Sequence, residues 1–110
     1  MKDKMNEKKW WELIRNSELL TALESFPKEE NLEVLEIGGR DGYQADLISK
    51  NGFKVTSIDI KPVFPQFYPV QKGDITKLNF HENSFDIIFS SNMLQEIHSM
   101  DEALSEMKRV

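Results

Sequence analysis

The chain has 110 residues, with 14 Lys and Arg against 19 Asp and Glu, a net charge of −5 and no cysteine. That length bounds it to one domain at most. The composition excludes disulfides and thiolate-bound metal and a whole-domain basic footprint for nucleic acid, and no run reaches the roughly 18 apolar residues of a membrane span.

Met1 to Lys9 is polar, and Lys2, Lys4, Lys8 and Lys9 read as a solvated terminus. No apolar region follows, so no signal peptide is read and a cytoplasmic location is expected. From Asn6 to Ser25 the pattern is helical. Trp10, Leu13 and Ile14 form a stripe, and Leu20 and Leu23 continue it after a break at Asn16-Ser17, where Ser17 suits a cap. Trp10 and Trp11 read as one core residue and one half-exposed neighbour, or as a pair lining a site. Residues 1–31 are therefore expected as an N-terminal helical segment, closed by the polar turn PKEEN.

Val34 to Gly42, VLEIGGRDG, organises the rest. Glu33 to Ile37 is nearly continuous in apolar residues, as in a strand buried on both faces. It breaks into Gly38, Gly39, Arg40, Asp41 and Gly42. Tyr43, Ala45, Leu47 and Ile48 then fall at helical spacing. Strand, glycine turn and helix is the unit that binds the adenosyl or phosphate end of a cofactor in Rossmann-like sheets. Asp41 suits the helix cap, with Gln44 completing a capping box, and Asn51-Gly52 is a stop signal.

KVTSID, 54–59, reads as a second strand rich in β-branched residues. Asp59 ends it, 59 − 38 = 21 residues after Gly38, where a carboxylate can accept both hydroxyls of a ribose; the alternative is a loop aspartate capping a turn. KPVFPQFYP follows, and its prolines Pro62, Pro65 and Pro69 argue against a crossover helix. An extended crossover is expected, with Phe64, Phe67 and Tyr68 covering the sheet face; the alternative is an exposed partner-binding surface. Val70 to Lys72 is a short third strand before Gly73-Asp74-Ile75. After a polar loop, Ile87 to Ser90 is a fourth strand. Ser99-Met100-Asp101-Glu102 is a capping box, and Ala103, Leu104 and Met107 give the apolar face of a last helix.

VLEIGGRDG, the acid in SIDI, GDI and FDIIFSSNMLQEI stand in this order. With them the chain resembles the class I S-adenosylmethionine-dependent methyltransferase family over roughly Leu32 to Val110. The family's first motif ends its strand in an acid two before the first glycine and continues G-x-G-x-G. Glu36, Gly38 and Gly42 match it, Gly39 lies within it, and Arg40 stands where the middle glycine is usual. The resemblance implies an α/β, Rossmann-like fold: a partial parallel sheet in the order 3-2-1-4, flanked by helices. It also implies S-adenosylmethionine as cofactor. By the same resemblance, Asp59 holds the ribose with Ile60 beside it. Asp74 accepts the adenine amino group while Ile75 packs on the ring, and Ser90 and Ser91 approach the methionine part. Glu96 stands where many small-molecule members carry histidine, and His98 follows. Either is a substrate base, or the pair is a helix-surface glutamate and a loop histidine.

Two departures bear on function. If Arg40 needs a left-handed backbone, a non-glycine costs roughly 1–2 kcal/mol; its guanidinium also suits a cofactor carboxylate. Second, the resemblance ends before the family's fifth strand, which makes the fourth predicted strand a sheet edge. Exposed apolar edges pair with other chains, so a homodimer, a protein partner or a covering terminal helix is expected there. The leading reading is a methyltransferase acting on a small molecule; the second is a non-catalytic methyltransferase-like interaction subunit or a fragment needing a partner. Neither a membrane nor a nucleic-acid partner is expected. G-x-G-x-x-G is not met, which disfavours a nicotinamide enzyme. His81 and His98 form no metal-ligand cluster, so no metal is expected.

Overall fold

The structure is a computed structural model and describes residues 9–12 (by strand pairing), 21, 24–26, 31–90 and 100–110. Its strands are β1 (Lys9–Glu12), β2 (Glu33–Ile37), β3 (Lys54–Asp59), β4 (Val70–Lys72) and β5 (Ile87–Ser90). They lie in one sheet in the order β1-β5-β2-β3-β4, and all four pairings are parallel. The helices described are α1 (Tyr43–Lys50) and α2 (Met100–Arg109). The last four strands give the predicted 3-2-1-4 order, so the α/β Rossmann-like reading holds.

The strand pleat sorts apolar residues to two faces. Leu35 and Ile37 join Ile58 and Ile88 in a cluster closed by Ala103, Met107 and Val110, around α2. Val34 joins Ile87 and Phe89 in a second cluster closed by Ile48 and Phe53, around α1. Each fully buried side chain of this size contributes about 1.5–3 kcal/mol. Covering both faces is what a parallel sheet requires.

α1 starts one residue later than its sequence signal suggests. Gly42, with φ 81°, occupies the cap position and makes no side-chain cap. Asp41 Oδ1 accepts the Tyr43 N–H at 3.1 Å from one residue further out. The helix ends at Asn51 as expected, and Gly52 takes φ 96°. α2 spans the predicted last helix, with Ala103 and Met107 buried.

Two expectations are corrected. Lys9–Glu12 is a strand, not part of a helix, and it pairs with Ile87–Ser90. The predicted edge of β5 is therefore covered by the chain's own N-terminal segment. Backbone groups along β5 require partners, and two adjacent tryptophans favour a strand as much as a helix. Thr21 and Glu24 are helical; the Ser17 cap and the stripe from Leu13 to Leu20 lie outside the described residues, as do the side chains of Trp10 and Trp11.

The second correction concerns the crossover. It has no helix, as its prolines indicate, but Phe64 and Phe67 do not cover the sheet: they are 75% and 62% exposed. The loop's backbone is drawn to the glycine turn at the sheet's end instead. Val63 N–H donates to Arg40 O at 3.0 Å and Phe67 N–H to Asp41 O at 2.8 Å. Of the three aromatics only Tyr68 turns partly inward, its hydroxyl donating to Val55 O at 2.6 Å.

Candidate functional site

Strand order reverses at β2. β3 and β4 lie to one side of it and β5 to the other, and in open α/β sheets ligands bind beyond the carboxyl ends at such a point. The ten cofactor-site candidates that the structure describes fall at or just beyond the carboxyl ends of β2, β3, β4 and β5.

Glu36 and Ser57 are register partners on β2 and β3. Both are 1% exposed, and Ser57 Oγ donates to Glu36 Oε1 at 2.6 Å. Burial pushes the Glu36 carboxyl up to about 7; the Ser57 hydrogen bond opposes this, while the nearby charges of Asp59 and Asp41 add to it. Gly39 seals the pair from above. A Cβ there would stand 1.9 Å from Ser57 Oγ and 2.7 Å from Glu36 Oε1. The requirement for glycine at 39 thus arises from the chain's own buried acid.

The turn is fastened to β3. The N–H groups of Gly38 and Gly39 both donate to Ile58 O, at 2.8 and 3.0 Å. Asp59 Oδ2 accepts the Arg40 N–H at 2.8 Å and Oδ1 accepts the Lys61 N–H at 2.9 Å. Gly38, Arg40 and Gly42 have φ of 81°, 56° and 81°. The left-handed backbone feared for Arg40 is therefore present, at a strain of about 1–2 kcal/mol. A hydrogen bond to a charged acceptor contributes about 1.5–3 kcal/mol and offsets it. The Arg40 side chain is exposed and does not fill the turn. Gly42 is required twice over, because a Cβ there would also stand 2.3 Å from Tyr68 O.

Ile60 is 54% exposed beside Asp59 and offers an apolar surface to a ligand. Gly73 N–H donates to Asp59 O at 2.9 Å, which brings Asp74 next to it. Asp74 is exposed, and its Oδ1 accepts both the N–H and the hydroxyl of Thr76, at 2.9 and 2.7 Å; these bonds hold its carboxyl below the usual range. Ile75 is 4% exposed and sits in the core cluster with Leu35 and Ile58. It supports the site from beneath and has no free face for an adenine ring.

Ser90, in register with Ile37 across the switch point, is 1% exposed. Its hydroxyl is the buried side-chain polar atom without a hydrogen-bond partner among the described residues. Ser91, Glu96 and His98 lie outside those residues. Among the described residues no group of acids and histidines is placed to hold a metal.

Sequence reasoning missed Ser57 and the backbone of Tyr68. Aligning the two predicted strands in parallel register would have exposed Ser57 opposite Glu36; nothing local announces the approach of Tyr68 to Gly42.

A family model described as a methyltransferase domain matches residues 35–110. The chain belongs to this methyltransferase domain family. The match begins on β2 and takes in the glycine turn, Asp59, Asp74 and Ser90. None of the curated proteins compared with the chain matches it. Methyltransferase domains of this family generally bind S-adenosylmethionine, and the site here fits such a group in two respects. It offers a buried hydroxyl at Ser90 with no hydrogen-bond partner among the described residues, and a strand-end carboxylate at Asp59. No described helix is long and apolar enough to cross a membrane.

Proposed function

We propose that the chain binds S-adenosylmethionine across the carboxyl ends of β2, β3 and β5 and passes its methyl group to a small-molecule acceptor, in the cytoplasm. The observation that carries this reading is the pairing of a glycine turn, tied to Asp59 by the Arg40 N–H, with the buried Ser90 hydroxyl on the other side of the switch point, which has no partner among the described residues.

When bound, the cofactor supplies an activated methyl on a sulfonium. The chain's residues supply position, which is most of what such a displacement requires. Asp59 retains lone pairs beyond those used by Arg40 and Lys61 and can accept ribose hydroxyls. Ser90 would gain a hydrogen-bond partner, which it lacks among the described residues. Glu36, neutral or ionised near pH 7, favours a cation above the turn in its ionised form. Ile60 and Asp74, both exposed beyond the strand ends, would stand on the adenine side.

A second reading has its own support. Both oxygens of Asp59 already serve backbone N–H groups, so Asp59 has a structural role that needs no cofactor. A non-catalytic module, serving as an interaction subunit, would retain this architecture. Calorimetric titration of the chain with S-adenosylmethionine separates the two, with Asp59→Asn as control.

A further inference from the structure

The glycine turn is a strained backbone held from outside. Gly38, Arg40 and Gly42 take φ of 81°, 56° and 81°, and such backbone persists only where its surroundings over-determine it. β3 fixes the first half of the turn, through Ile58 O and Asp59 Oδ2. The crossover between β3 and β4 fixes the second half. The Val63 and Phe67 N–H groups donate to Arg40 O and Asp41 O, at 3.0 and 2.8 Å. The Tyr68 backbone lies so close to Gly42 that a Cβ on residue 42 would stand 2.3 Å from Tyr68 O.

The crossover in turn needs something to hold it. Its prolines, Pro62, Pro65 and Pro69, leave it without a helix, so no helical ladder of backbone bonds fixes it. Side chains take over that task. The Tyr68 hydroxyl donates to Val55 O at 2.6 Å. Gln66, half-buried, closes the far end: its Oε1 accepts the Val70 N–H at 2.9 Å and its Nε2 donates to Val70 O at 3.4 Å. Gln66 thereby engages both backbone groups of the first residue of β4, as a residue of an adjoining strand would. Val70 is buried and in register with Ser57 on β3, so the crossover is pinned to the sheet at this point. Phe67, whose N–H holds Asp41, is the next residue after Gln66.

We propose that Gln66 is a positioning residue for the cofactor site: its two bonds to Val70 hold the crossover as a strap across Arg40, Asp41 and Gly42, so that the turn is set before a ligand arrives. The role rests on the S-adenosylmethionine reading above. Gln66 touches no ligand in this role and acts through Phe67 and Tyr68. A turn already held loses little freedom on binding, and releasing the strap adds that loss to the cost of binding.

The test uses the full chain and Gln66→Met, which keeps the length of the side chain and removes both bonds. Each is titrated with S-adenosylmethionine, and amide hydrogen exchange is followed with and without it. In the variant, exchange at Val63 and Phe67 is expected to quicken while the β2 amides keep their wild-type rates. Affinity for S-adenosylmethionine is expected to fall about three- to tenfold. Coupling is reciprocal, so saturating S-adenosylmethionine should slow Val63 and Phe67 in the variant back toward their wild-type rates. A bond that served stability alone would not respond to the ligand in this way. Gln66→Ala, which removes the side chain, should behave alike. Wild-type affinity in Gln66→Met, or unchanged exchange at Val63 and Phe67, would overturn the strap and leave the cofactor reading in place. No binding by the wild-type chain would instead remove that reading, and the positioning role with it.

Discussion

Ser57 donates its hydroxyl to Glu36 Oε1 over 2.6 Å, from the register position directly opposite on the neighbouring strand. The pair lies under Gly39, so the glycine turn, a buried acid and a strand residue that looks unremarkable in the sequence form one packed unit. Gly39→Ala tests it, because the new Cβ would meet Ser57 Oγ at 1.9 Å. Overpacking of this kind costs about 1–3 kcal/mol. The loss is expected in urea denaturation, and adding Ser57→Ala should recover part of it. Strict additivity of the two substitutions would show that they do not share the contact.

The second prediction concerns pH. Glu36 is raised from 4.5 to about 7 in the folded chain, chiefly by burial. A folded-state pKa above the unfolded one means that the folded state binds the proton more tightly. The resulting stabilisation is fully present below the unfolded pKa and is lost as pH rises through about 7. Its limit is about 3 kcal/mol. The urea midpoint of the wild type should therefore fall between about pH 5 and pH 8 relative to that of Glu36→Gln. Parallel curves for the two proteins would contradict the assignment.

Two left-handed positions should respond to substitution very unequally. Arg40 already tolerates φ 56°; Arg40→Gly relieves strain while adding unfolded-chain entropy, so stability should change by less than about 1 kcal/mol. Gly42→Ala combines φ 81° with a Cβ 2.3 Å from Tyr68 O. It should cost about 2–4 kcal/mol and loosen the crossover. Thermal or urea unfolding of the two variants side by side measures the contrast.

Asp59 should behave as a structural residue even without ligand. Asp59→Ala leaves the Arg40 and Lys61 N–H groups without their acceptor, a loss of about 1–3 kcal/mol. Asp59→Asn keeps one carbonyl oxygen and should lose less. Amide hydrogen exchange at Arg40 and Lys61 reports it: faster exchange is expected in both variants, more so in the alanine form.

Much of this architecture was legible in the sequence because it follows local rules. Apolar runs bounded by glycine, asparagine and proline gave β2, β3, β4 and β5 at their observed bounds, and the 3.6-residue pattern gave α1 and α2. What was not legible depended on tertiary demand. Lys9–Glu12 has a helix-compatible pattern, yet the open edge of β5 draws it into the sheet. Phe64 and Phe67 look like core residues, but the backbone bonds of their loop run to Arg40 and Asp41 and leave the rings outside. Asp59 and Ser90 fall at the strand ends where sequence order puts them. Ser57 shows its role only once strand register is known, and Ile75 proves to be core where an adenine contact was expected.

The most direct test of the central claim is isothermal titration of the purified chain with S-adenosylmethionine and S-adenosylhomocysteine, run alongside Asp59→Asn. The account expects saturable binding in the micromolar range by the wild type, markedly weakened in a variant whose circular dichroism is unchanged. Absence of binding at millimolar ligand, in a chain shown to be folded, would contradict cofactor binding and leave the interaction-subunit reading.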